Sequence, residues 1–446
     1  MNKKLLLTGL LASSVILAGC SDDDDDDPLA QYSWVRVLHA SADAPNVDVL
    51  VDEQAVLSNV AYQQGSGYLR VAAGTRELAL RVSGTDTVAL SADVPLTANA
   101  YYSVIAQNDV ASLELEILDD TSRASNGSTD VTVVHAATDA GNVDIYVSAA
   151  GVALPGTATL ADVPFDANAT LEDVADGNYQ VRLTGAGSGD VVYDSGALAI
   201  GDDLYAVAVN SSRGASPASL LIWTSTVTPV LDDSAEVRIV HAVDAVDVDV
   251  FVAGDALLSD FAFKDTTVGV AGTVNGYLKV PSGDLVVAIA PAGAGIGSAL
   301  DSLSGTLTLQ RGESYTVIAA GDVNDLPATQ LIVLTDERTA DAAAQVRLVH
   351  AAAAPEADPV DIYVTAAGGD ISGSEPNFAD VSVGQDTGYV SLGAGTYDVI
   401  IAADGTQTAA IPNTDGLVLG AGSVTTAIAV GNSVANLDRL LLDDAR

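Results

Sequence analysis

A chain of 446 residues that is 48% hydrophobic can bury several cores, so it is not a disordered tail. Its 60 acidic residues against 17 basic ones leave a net charge of −43, which repels polyanions and sets nucleic acid aside as a partner. A single cysteine excludes intrachain disulfides. The acidity itself reads as solubility, with salt screening the self-repulsion; loose divalent-cation binding is the sharper alternative.

The first element is "MNKKLLLTGLLASSVILAGC": a positive start, an apolar stretch from Leu5 to Leu17, and small residues before Cys20. The stretch is short for a membrane span and has the form of a signal-peptide core. "LAGC" (17–20) resembles the lipobox of bacterial lipoproteins. That resemblance implies cleavage before Cys20, lipidation of Cys20, and, with Ser21 rather than aspartate next, the outer membrane. No face of that membrane is specified. "SDDDDDDPLAQYS" (21–33) is self-repelling and buries nothing, so it reads as a tether. Extended, it reaches roughly 45 Å at about 3.5 Å per residue. It lacks the spacing and glycine of an EF-hand loop.

Length alone suggests about three domains, but one phrase occurs four times. It reads "WVRVLHASADAPNVDVLV" (34–51), "VTVVHAATDAGNVDIYV" (131–147), "VRIVHAVDAVDVDVFV" (237–252) and "VRLVHAAAAPEADPVDIYV" (346–364). The four histidines of the chain, His39, His135, His241 and His350, fall one in each copy. A strand–glycine–strand segment follows in step: "GYLRVAAGTRELALRV" (67–82), "ATLEDVADGNYQVRL" (169–183), "GYLKVPSGDLVVAIA" (276–290) and "GYVSLGAGTYDVIIA" (388–402). A third landmark includes "YYSVIAQND" (101–109) and "SYTVIAAGD" (314–322). Short, alternating, β-branched runs punctuated by Gly, Asn, Asp and Pro predict an all-β fold of seven or eight strands per repeat. The expected layout is a signal peptide (1–19), a lipidated cysteine and tether (20–33), and four tandem immunoglobulin-like β-sandwich domains. Their ranges are 34–120, 131–230, 236–337 and 345–446.

All four units resemble the bacterial repeat family known as domain of unknown function 4397, through the "VRxxHA…VDVYV" opening, the "GYLxVxxGxxxVxV" hairpin and the "YTVIAxG" strand. The second unit is the loosest, with Thr132 in place of the arginine and "ATL" in place of "GYL". The resemblance implies an extracytoplasmic, immunoglobulin-like fold and brings no activity and no catalytic residues.

Strand parity puts Val35, Val37 and His39 on one face and Arg36 and Leu38 on the other. With the valines in the core, His39 enters it, and Asp48 points outward with Arg36. An exposed Arg36–Asp48 pair is therefore expected, repeated as Arg238–Asp249 and Arg347–Asp361 and worth at most about 1 kcal/mol. A buried imidazole needs a partner at each ring nitrogen. Asp43 for His39 and Asp139 for His135 are the expected ones, with a backbone carbonyl as the alternative. Asp244 is shifted in the third unit, and the fourth has Ala354 at the matching place. That drift favours a structural histidine fastening a loop, because metal and catalytic sites need fixed geometry. Zinc or another metal is the competing reading of these His/Asp loops.

No G-x-S-x-G elbow, H-E-x-x-H or P-loop occurs. "PAGAGIGSAL" (291–300) misses the dinucleotide-binding spacing and reads as a hairpin tip. Trp34 and Trp223 read as packing residues rather than sugar platforms. The expectation is a non-enzymatic, cofactor-free envelope lipoprotein serving in binding, adhesion or scaffolding. Its membrane contact is through Cys20, and a protein or glycan is its partner at the cell surface. The alternative is a periplasmic metal- or small-ligand-binding protein.

Overall fold

The computed structural model describes residues 31–121, 129–214, 216–271, 273, 275–322, 324, 329–339, 343–354, 358–411, 416–433 and 435–445. The expected signal peptide and Cys20 lie outside the described residues, as does all but the last few residues of the tether. No described helix is long and apolar enough to cross a membrane.

The first module has eight strands: β1 (Tyr32–His39), β2 (Val47–Val51), β3 (Gln54–Val60), β4 (Leu69–Ala72), β5 (Gly74–Val82), β6 (Val88–Leu96), β7 (Tyr101–Gln107) and β8 (Glu114–Asp119). They form two sheets, ordered β4-β1-β7-β8 and β3-β2-β5-β6. The histidine strand β1 runs parallel to β7 and antiparallel to β4. The β2–β3 hairpin turns on Asp52 and Glu53, at φ 46° and 65°, the left-handed pair that matches the twist of its strands. The same two-sheet order recurs with the histidine strands Val131–Ala136, Ser234–Asp244 and Ala344–His350, with extra short strands in the second and fourth modules.

Each module closes its own core between its sheets. In the first, Val35 and Val37 of β1 meet Val47 and Val49 of β2, Leu78 and Leu80 of β5, and Val104 of β7. In the second sheet the edge strand β3 is exposed along most of its length. The histidine sheet differs, because its outer face is buried too. Leu38 and Ile105 pack with Val134, Val207, Leu221 and Trp223 of the second module. Val240, Ile318 and Leu334 of the third pack with Val349, Ile428 and Leu442 of the fourth. The histidine sheets thus dock in pairs, first on second and third on fourth. Burial on both faces explains why these strands are almost continuously apolar.

Candidate functional site: histidine loops and a buried arginine network

The histidines lie where parity places them, on the core side of their strands, and all four are buried. In the first three modules their partners are backbone atoms. His39 Nε2 lies 3.2 Å from the Pro45 carbonyl, and its Nδ1 accepts from the Ser41 N–H at 3.4 Å. His135 repeats this with Gly141 O at 2.7 Å and Ala137 N at 3.3 Å. Because Nδ1 accepts, the proton resides on Nε2 and is donated to the carbonyl. His241 reaches Val246 O at 2.8 Å. His350 stands 3.9 Å from an oxygen of Asp358. Burial lowers the affinity of His39, His135 and His241 for a proton, against the opposing pull of those carbonyls.

Asp43 does not meet His39: its carboxylate takes the Val110 N–H at 2.9 Å and lies 3.4 Å from the Ser41 hydroxyl. Asp139 sits in the short turn Thr138–Ala140, its N–H donated to Asn210 Oδ1 at 3.0 Å. Asp244 accepts from Asn436 of the fourth module at 2.5 Å and from its own neighbour Ala245 N at 2.7 Å. Of the two partners considered for the imidazole, the carbonyl is the one that binds in the first three modules. The described residues hold no group of three or more His, Cys, Asp or Glu side chains placed to bind a metal.

Main-chain bonds complete the loop. The His39 N–H donates to Gln64 O and the His39 carbonyl accepts the Gln63 N–H, and the equivalent pairs form at His135, His241 and His350. The clasping residues Gln63, Asp166, Lys264 and Gly384 all have positive φ.

The expected pairs Arg36–Asp48, Arg238–Asp249 and Arg347–Asp361 do not form, because arginine and aspartate stand on different sheets. Asp48 accepts the Asn59 N–H at 2.9 Å and the Ser83 hydroxyl at 2.8 Å, and pairs with Arg81 at 2.9 Å. Asp144 takes Asp162 N and Gly187 N, Asp249 takes Asp260 N and Gly293 N, and Asp361 takes Asp380 N and Gly405 N. Each carboxylate pins a positive-φ residue of the neighbouring strand and a turn beyond it. These bonds, the Asn59 and Asp162 amides first, hold the carboxyls of Asp48 and Asp144 below the usual range. Gly293 belongs to "PAGAGIGSAL", so that loop tip is tied down rather than free.

The arginines do leave their own cores, but the outward face is the docking face. Arg238 is fully buried. Its Nε and Nη2 donate to Thr316 Oγ1 at 3.1 and 2.7 Å, its Nη1 to Asp443 O at 3.0 Å, and its Nη2 to the Asp444 carboxylate of the fourth module. Arg347 mirrors it with Thr426 Oγ1, Thr335 O at 2.9 Å and the Asp336 carboxylate of the third module. Each carboxylate is held from its own side: Asp336 by Tyr277 and Thr316, both at 2.6 Å, and Asp444 by Tyr389 at 2.8 Å and Thr426 at 2.5 Å. Each guanidinium lies 4.6 Å from the centre of its own module's tyrosine ring. Burial pushes both phenols well above their ordinary range.

Between the first two modules only half of this network exists. Arg36 donates to Ser103 Oγ at 2.7 Å and to Thr224 O at 2.5 Å, with its centre 4.2 Å from the Trp223 ring. Asp120 is held by Tyr68 at 2.6 Å and Ser103 at 2.5 Å, and accepts from Tyr205 of the second module. In the second module Thr132, Thr170, Tyr205 and Ser225 stand where the others have Arg, Tyr, Ser or Thr, and Asp. Tyr205 and Trp223 of the second module instead lie against the Arg36 guanidinium, at 4.9 and 4.2 Å. Trp223 is accordingly a buried packing residue, and Trp34 stacks on Tyr101 at 5.0 Å. The network's tyrosines, hydroxyls and last-strand aspartates escaped the sequence reading. Its signal was the joint loss of all four residue types in one repeat.

A cleft of about 190 Å³ separates the second and third modules, and its cations are already paired, Arg213 with Glu313 and Lys279 with Asp232. The arrangement as a whole fastens loops and joins modules.

No curated protein matches this chain. Among solved structures, the Bacillus anthracis TIE protein is similar at 9% identity and a TM-score of 0.16, over 90% of this chain and 68% of that one. A second, titled alpha-glucan recognition by family 41 carbohydrate-binding modules from streptococcal virulence factors, is similar at 10% identity and a TM-score of 0.15. It covers 43% of this chain and 94% of that one. Likenesses of this size carry no argument about the present chain. The family model described as domain of unknown function (DUF4397) matches residues 33–146, 235–363 and 344–446, leaving most of the divergent second module outside. The chain therefore belongs to the DUF4397 family.

Proposed function

We propose that this protein is a non-enzymatic envelope lipoprotein, anchored through Cys20, whose paired β-sandwich modules form a scaffold that presents its outer surfaces to a protein or glycan at the cell surface. One observation carries this reading. The polar residues of the repeated phrase are committed to internal fastening: histidine to a loop carbonyl in the first three modules, aspartate to neighbouring backbone or turns in all four, and arginine, in the three modules that carry it, to the docking of one module on another. Repetition here builds architecture, and arrays of docked modules supply reach and multivalency. The leader, the lipobox-like "LAGC" and the acidic tether support placing that array at the outer membrane.

Metabolic labelling with a palmitate analogue tests the anchor. Wild-type chain is expected to carry label and sediment with outer membranes, whereas Cys20→Ser loses both. Label retained by Cys20→Ser would overturn it. For the metal alternative, melts of the chain from Pro28 in EDTA, calcium and zinc are expected to coincide. Binding at a hundredfold excess over Kd would raise stability by about 2.7 kcal/mol, a shift too large to miss.

A further inference from the structure

The third and fourth modules meet through matched sets of residues. Arg238, Tyr277, Thr316 and Asp336 correspond in strand register to Arg347, Tyr389, Thr426 and Asp444. The apolar contacts correspond as well: Val240 with Val349, Ile318 with Ile428, Leu334 with Leu442. Each arginine crosses to the other module's carboxylate and to the carbonyl just before it. The interface is therefore a pseudo-twofold one, in which both sides carry the same donors and acceptors and each side's arginine meets the other side's carboxylate. A surface with that property is complementary to a copy of itself.

We propose that the third module's face is a self-complementary docking surface whose partner is the same face of a second chain, engaged whenever the fourth module is released. Replacing the fourth module by a second third module returns arginine for arginine, aspartate for aspartate, and tyrosine for tyrosine. Contacts that break the symmetry include Lys264 with Asp438 at 2.6 Å, Asp244 with Asn436, and Asn275 with the Ala445 carbonyl at 2.6 Å. None of these is needed to satisfy the buried charges. The second module cannot substitute. With Thr132 and Ser225 at the arginine and aspartate positions it offers an incoming Arg238 no carboxylate and Asp336 no guanidinium. In the intact chain the fourth module holds the site at high effective concentration.

This inference rests on the scaffold reading of the repeats but not on the lipid anchor, so it is tested on the soluble chain from Pro28. Arg347→Glu sets a carboxylate against Asp336 and releases the fourth module while leaving the third module's face intact. Sedimentation equilibrium at micromolar concentration is expected to show the mass doubled relative to wild type, with circular dichroism still β-rich. Adding Arg238→Glu spoils the exposed face and is expected to restore the wild-type mass. A monomeric Arg347→Glu chain overturns the proposal. A dimer that survives Arg238→Glu overturns it as well.

Discussion

His39, His135 and His241 share one chemical situation: a neutral ring, buried, with its proton directed at a loop carbonyl. Burial holds each below the ordinary histidine value of about 6.5. For His241 the charges of Asp247 and Asp265 pull the other way without prevailing. The unfolded chain therefore takes up protons first on acidification. The stability these rings contribute is whole above pH about 6.5 and is lost as pH falls through that value towards the folded one. Melting temperature is expected to drop between pH 7.5 and 5, and His39→Gln to flatten part of that slope; an unchanged slope would count against the assignment. The aspartates carry a larger local load. Asp249→Ala leaves the amides of Asp260 and Gly293 without their acceptor, and urea unfolding is expected to show a loss of about 1–3 kcal/mol.

At the scale of elements, the histidine sheet is the unusual part, because it is packed on both faces and carries ionic groups in the second packing layer. Taking two arginines and two aspartates out of water is costly, and the geometry recovers that cost only when every member is present. Asp336→Ala strands Arg347 against the apolar docking face. The transition that unfolds the third and fourth modules is expected to lose about 3–5 kcal/mol. The pair of first and second modules shares no residue with that network, so its own transition should stay in place. Unfolding followed separately at Trp223, buried between the first two modules, distinguishes the two pairs.

Over the whole molecule, scarce cations gather at the joints of an acidic chain. Arg36, Arg238 and Arg347 sit in the docking faces, Lys264 bridges third to fourth, and Arg213 and Arg311 bridge second to third. The remaining surface is left with a strong excess of carboxylates, and its self-repulsion opposes compaction. Thermal stability is expected to rise between 10 mM and 500 mM sodium chloride as that repulsion is screened. A melt that falls with salt instead would mean that exposed ion pairs outweigh the repulsion.

Much of this was readable along the chain. The four phrases, the alternation of Val35, Val37 and His39, and the glycine-punctuated strands determine four β-sandwich modules with histidine at the core side, because periodicity and turn chemistry are local properties. Partner choice is not local. Parity correctly put Arg36 outside its own core, but parity cannot say that another module covers that outside, and so an exposed ion pair was expected where a buried network stands. Likewise Asp43 is near His39 in sequence, yet the ring finds the Pro45 carbonyl, since only the closed loop decides which acceptor lies along the N–H direction. The repeats specified the modules; the docking of one histidine sheet on another decided what their arginines, tyrosines and aspartates are for.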